Sequence, residues 1–124
     1  MQHTLTNSLI YESTNQLIPM NFLDLAKQRF SVRSYKPDPV SEEDLHYVLE
    51  SGRIAPSAVN YQPWKFLVFQ EKKNLDGIYE LYHRDWFNEA PVVIILLADH
   101  SQSWHRNADN KDHADIDVAI AADH

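Results

Sequence analysis

Residues 91–98 read PVVIILLA, an apolar run with no polar interruption. A strand with one solvated face alternates apolar and polar side chains. A strand that does not alternate is covered on both faces. The run is too short to cross a bilayer as a helix, which takes about 20 apolar residues. It therefore predicts a central strand, with helices packed around the sheet to which it belongs.

The flanking patterns supply those layers. In 21–29, Phe22, Leu25, Ala26 and Arg29 share one stripe at helical spacing. KPDPV (36–40) interrupts it, because its prolines lack backbone donors and push Lys36 and Asp38 into extended conformations. Ser41 is a good N-cap, and Glu42, Glu43 and Asp44 follow in the first turn, where the helix dipole favours negative charge. Leu45, Val48, Leu49 and Gly52 share a face of this helix, which Ile54 and Ala55 extend and Pro56 is expected to end. KFLVFQ (65–70) has strand character, EKKN reads as a turn, and 74–86 return to helical spacing. Residues 99–111 are polar and read as a mobile loop. From Asp112 to His124 the pattern is helical, with small residues suited to close packing against another helix. Helices alternate with strands around a sheet, which predicts an α/β or α+β class. Residues 1–19 are expected to form a pairing arm or extension, with the domain proper at 20–124.

The composition narrows the function classes. Eleven basic against eighteen acidic residues leave a net charge of −7, which argues against broad nucleic-acid binding. There are no cysteines, so thiol catalysis and thiolate metal sites are excluded and a cytoplasmic, reducing compartment is expected. No basic region followed by an apolar core marks a signal peptide at the N-terminus. The seven histidines show no helical pair with a glutamate of the kind zinc hydrolases use, and no metal site is expected. With only Gly52 and Gly77, no glycine loop can cradle a phosphate. Any bound anion must be held by side chains.

Two stretches offer such side chains. In RFSVRSY (29–35), an extended backbone would project Arg29, Ser31 and Arg33 from one side. Two guanidinium forks and a hydroxyl suit a phosphate or another planar anion, although a surface salt-bridge cluster explains the same spacing. In APSAVNYQPW (55–64), Pro56 and Pro63 stiffen a loop carrying Ser57, Asn60 and Gln62. Preset donors and acceptors beside an aromatic suit a heteroaromatic ring edge. A plain helix-to-strand connection that satisfies its own backbone is the alternative.

Taken together, RFSVRSY followed after one helix by APSAVNYQPWKFLVF resembles the nitroreductase family of flavin enzymes. EAPVVIILLA and HADIDVAIAADH resemble that family's central strand and long interface helix, so the likeness covers roughly residues 20–124. The resemblance implies a three-layer α+β sandwich with helices around a mostly antiparallel sheet. It also implies a homodimer with FMN at the subunit interface, NAD(P)H as co-substrate, and a nitroaromatic, quinone or similar small-molecule acceptor reduced in a ping-pong course. By the same likeness Arg29 grips the flavin phosphate with help from Ser31. Arg33 lies by the pyrimidine edge of the ring, where a cation stabilises charge arriving with the hydride. Pro56, Ser57 and Asn60 approach the flavin from the partner subunit, while Gln62, a further cofactor-binding candidate, braces the loop together with Trp64. Family members continue past the helix that ends here at His124, so this chain is expected to correspond to their N-terminal portion. A truncated, non-catalytic dimeric fold with weak or no flavin binding is the alternative, and a small-anion binding module is a third.

Overall fold

The computed structural model describes residues 8–11 and 17–124. It divides into two compact units, the first ending at Val32 and the second spanning Arg33–His124.

In the first unit, β1 (Ser8–Tyr11) pairs antiparallel with β2 (Leu17–Met20), Leu9 opposite Pro19 and Ile10 opposite Ile18. The rest of the expected arm at 1–19 lies outside the described residues. The expected first helix forms as α1 (Phe22–Gln28), and Asn21 caps it by accepting from the Asp24 N–H. Arg29 ends it with an extended backbone, φ −62° and ψ 126°.

The second unit is a three-layer sandwich. Its middle layer is a two-stranded antiparallel ribbon of β3 (Trp64–Phe69) and β4 (Val93–Ala98), paired from Trp64 opposite Ala98 to Phe69 opposite Val93. Period-two alternation divides its side chains between two faces. Phe69, Val93 and Ile95 lie on one face, where Val93 joins Leu75 and Ala90 in a core surrounded by Tyr35, Ile78, Tyr79 and Phe87. Leu75 comes from α3 (Lys72–Tyr79). The opposite face presents Phe66, Ile94 and Leu96 to α2 (Glu42–Arg53) and α4 (Ala114–Asp123).

Ser41 caps α2 as expected, accepting from the Asp44 N–H at 3.0 Å. Capping of this kind contributes about 1 kcal/mol. Four local expectations change. First, α2 stops at Arg53, because Ile54 closes it as its C-cap, donating to Glu50 and Gly52, before Pro56 is reached. Second, α3 begins at Lys72 and ends at Tyr79, so 80–86 are turns rather than helix. The aromatic side chains there pack on one another instead. Tyr82, Trp86 and Phe87 make edge contacts with ring centroids 5.1–6.1 Å apart.

Third, of β4 only Val93 is buried and Leu97 is exposed, because among the described residues the strand pairs with β3 alone and is only partly covered. Fourth, 99–111 is not a featureless loop. It holds a 3-10 turn at His100–Gln102, a bridge between His105 and Asp112, and a turn closed by Arg106 on Asp109. No described helix is long and apolar enough to cross a membrane.

Candidate functional site

Arg29 and Ser31 belong to the first unit and Arg33 opens the second. All three are exposed. The Arg29 guanidinium makes no side-chain hydrogen bond or ion pair among the described residues, whereas Arg53 and Arg106 are both engaged, by Glu50 and Asp109. Arg33 is held differently. Its guanidinium carbon stands 5.5 Å from the centroid of the Trp86 ring. Trp86 in turn sits 6.2 Å from Tyr35. The cation is therefore oriented by an aromatic face, a contact worth about 0.5–1 kcal/mol at an exposed site.

The 56–64 stretch is a built loop. Ser57 is extended, and a 3-10 turn follows at Ala58–Asn60. Val59, Asn60 and Gln62 take φ values of 52°, 58° and 51°, in the left-handed region. Asparagine tolerates that region; a β-branched valine is strained there. The backbone donors of Asn60, Tyr61 and Gln62 are satisfied from within the loop. Asn60 N–H donates to Ser57 O, Tyr61 N–H to Ala58 O, and Gln62 N–H to Ser57 Oγ at 2.8 Å. The Gln62 side-chain amide donates to Arg53 O at 3.0 Å, tying the loop to the end of α2. Pro63 is buried, and its carbonyl accepts from Asp99 N–H at 2.7 Å. Pro56 and Asn60 are left exposed. The Asn60 side chain has no hydrogen bond among the described residues.

One residue that sequence reasoning missed completes the loop. Asp117, in α4, is only 2% exposed, and its Oδ1 accepts the Ala58 N–H at 2.9 Å. A signal was available: Asp117 falls on one helical stripe with the buried Ala114 and Ala121, an apolar row into which a carboxylate does not naturally fit. The position of α4 is itself set by the 103–113 segment. His113 N–H lies 3.1 Å from both Trp104 O and the hydroxyl of the buried Ser103, and the Trp104 and His113 rings meet at 4.9 Å.

Around the aromatic cluster, Tyr79 donates its hydroxyl to Ala90 O at 2.6 Å, and burial pushes its phenol pKa up, so it remains a donor. At the other end of the ribbon, His100 lies 2.9 Å from Asp112 and 3.4 Å from Asp115. The hydrogen bond to Asp112 raises the His100 pKa, and the reciprocal bond lowers that of Asp112. No cluster of three His, Cys, Asp or Glu side chains able to hold a metal occurs among the described residues.

Within the second unit, Arg33, ordered on an aromatic ring, and the 56–64 loop, with its exposed Asn60 amide, each offer donors of the kind a planar anionic ligand uses. The class defined by the fold is an α+β protein with helices packed around a small antiparallel ribbon. Comparison with known proteins agrees in sequence and in shape. The nitroreductase family model matches residues 26–86, which contain all of RFSVRSY and all of APSAVNYQPW. A Streptococcus pyogenes protein named as an NAD(P)H nitroreductase is 41% identical over 81 residues, 64% of this chain and 40% of that one. A nitroreductase family protein from Clostridium difficile superposes with a TM-score of 0.74 at 41% identity, covering 85% of this chain and 59% of its own. An FMN-dependent nitroreductase from the same species superposes at 0.64 with 27% identity, covering 82% and 56%. The chain is similar to the nitroreductase family in both sequence and fold, and it spans between 40% and 59% of the length of these relatives.

Proposed function

We propose that the chain forms the cofactor-holding part of an FMN-dependent NAD(P)H oxidoreductase that works as a homodimer. The loop at 57–62 carries this reading: a backbone held by its own hydrogen bonds and by Asp117, leaving the Asn60 side chain exposed and unused. The names of the relatives support it, one being called FMN-dependent and another an NAD(P)H nitroreductase.

FMN, when bound, supplies a two-electron relay through its N5 between a reduced nicotinamide and a nitroaromatic, quinone or similar acceptor. The chain's own residues do the rest. Arg29 takes the phosphate by charge-assisted hydrogen bonds, and Ser31 adds a hydroxyl. Arg33 is the catalytic residue, a fixed cation at the pyrimidine edge that stabilises negative charge as it arrives. Its seat over Trp86 reduces the reorganisation needed at that moment. Pro56, Ser57 and Asn60 of a second copy line the ring and exclude water, and Gln62 keeps the loop in shape through Arg53.

Titration of the purified chain with FMN tests the reading. Flavin fluorescence should be quenched with saturation, the melting temperature should rise with FMN concentration, and NADH or NADPH should bleach the yellow colour. A colourless chain whose melting temperature ignores FMN would be a non-catalytic member of the fold.

A further inference from the structure

We propose that Asp117 is a positioning residue that clamps the 57–62 loop in its strained conformation and thereby sets flavin affinity. The flavin half of this inference rests on the function proposed above; the clamp does not.

The argument starts from cost. A carboxylate that is 2% exposed has lost its hydration, and it persists only if partners repay that loss. Asp117 has one: Oδ1 accepts the Ala58 N–H, while the buried Oδ2 has no partner among the described residues. As a contributor to stability this is a poor arrangement. Its stripe neighbours Ala114 and Ala121 show that an apolar side chain would suit the packing. What the carboxylate does supply is a charge-assisted anchor at a specific amide, 59 positions away in the chain. That amide immediately precedes Val59 and Asn60, the two residues held at φ 52° and 58°. Backbone strain of this kind survives only where surrounding contacts over-determine it. Ser57 Oγ fixes the far side of the turn through Gln62 N–H, and Asp117 fixes the near side through Ala58 N–H. Because Ser103 and Trp104 pin the start of α4, the anchor belongs to the rigid part of the fold.

Amide hydrogen exchange by NMR on the full chain without flavin tests the clamp, with FMN titration beside it. In Asp117→Ala, exchange at Asn60, Tyr61 and Gln62 should accelerate by about tenfold or more, while β3 and β4 keep their protection. FMN affinity should fall by a similar factor. Asp117→Asn keeps an acceptor oxygen and should restore both to within about threefold. Should Asp117→Ala fail to fold, Ala58→Pro removes the donor instead. Ser57, at φ −138° and ψ 165°, is already in the conformation a following proline requires, and the first position of a turn tolerates one. It should loosen the same amides.

Unchanged loop exchange in both Asp117→Ala and Ala58→Pro overturns the clamp. So does a uniform loss of protection across loop and ribbon alike, which would make Asp117 a stability residue. A loosened loop with unchanged FMN affinity overturns the flavin half. A wild-type chain that takes up no FMN overturns the function proposed above and that half with it; the exchange data then decide the clamp alone.

Discussion

Gly52 of α2 lies directly against the ring of Phe66 in β3. A Cβ built on Gly52 would stand 2.9 Å from both Phe66 Cε1 and Cζ, and 3.4 Å from Ala121 O of α4. Helix α2, the ribbon and α4 therefore meet at a point with room for hydrogen only. Gly52→Ala gains about 1 kcal/mol of helix propensity and costs about 1–3 kcal/mol in displaced packing. The net expectation is a destabilisation on the order of 1 kcal/mol, read by urea denaturation. Phe66→Leu in the same chain should make Gly52→Ala neutral or stabilising, because the two sites are coupled.

Val59 should be replaceable with profit. It is 64% exposed and sits at φ 52°, so its side chain gives little packing in return for the strain. Asparagine adopts that region at lower cost without the unfolded-state entropy of glycine. Val59→Asn is expected to raise stability by about 0.5–1 kcal/mol in equilibrium unfolding. A loss of stability would mean that Val59 makes a contact which its exposure conceals.

The His100 clasp gives a pH dependence of definite sign. The Asp112 hydrogen bond raises the folded His100 pKa, with Asp115 adding to it. That contribution is complete below the ordinary imidazole value of about 6.5 and disappears as pH rises through the raised value. Asp112 is shifted the other way by the His100 hydrogen bond. Its contribution is complete above the ordinary carboxylate value of about 3.9 and is lost as pH falls through the lowered one. Both are present between about pH 4 and pH 6.5. His100→Gln should flatten the decline in melting temperature from pH 6 to pH 8, and added salt should shrink the difference, because the pair is solvated.

Arg29 and Arg33 should separate binding from chemistry. Arg29→Ala removes the proposed phosphate ligand and should weaken FMN binding by at least about tenfold. Arg33→Ala, saturated with FMN, should bind nearly normally but reduce its flavin more slowly in stopped-flow mixing with NAD(P)H. It should also change Trp86 emission, since the cation leaves the ring. Equal reduction rates in wild type and Arg33→Ala would remove the catalytic role assigned to it.

Much of the fold was legible because local rules act over short distances. Ser41 caps α2 through a neighbour three positions away, and the uninterrupted apolar run became β4. The aromatic turn at 80–86 was misread as helix, since Tyr82 and Trp86 have helical spacing yet pack edge-on with Phe87 instead. The site was legible only as a set of residue types. That Gln62 binds Arg53 O, or that Ser57 Oγ is already occupied by Gln62 N–H, follows from left-handed backbone angles that residue spacing does not encode.

By itself, the sequence determined that helices alternate with strands, where α2 is capped, which side chains could hold an anion, and that glycine could not. Tertiary structure alone decided that Asp117 meets Ala58, that Gly52 meets Phe66, and that Arg33 rests on Trp86. Periodicity and capping are properties of neighbouring residues along the chain. A buried charge acquires its partner, and a glycine its obstacle, only when segments tens of residues apart are packed together.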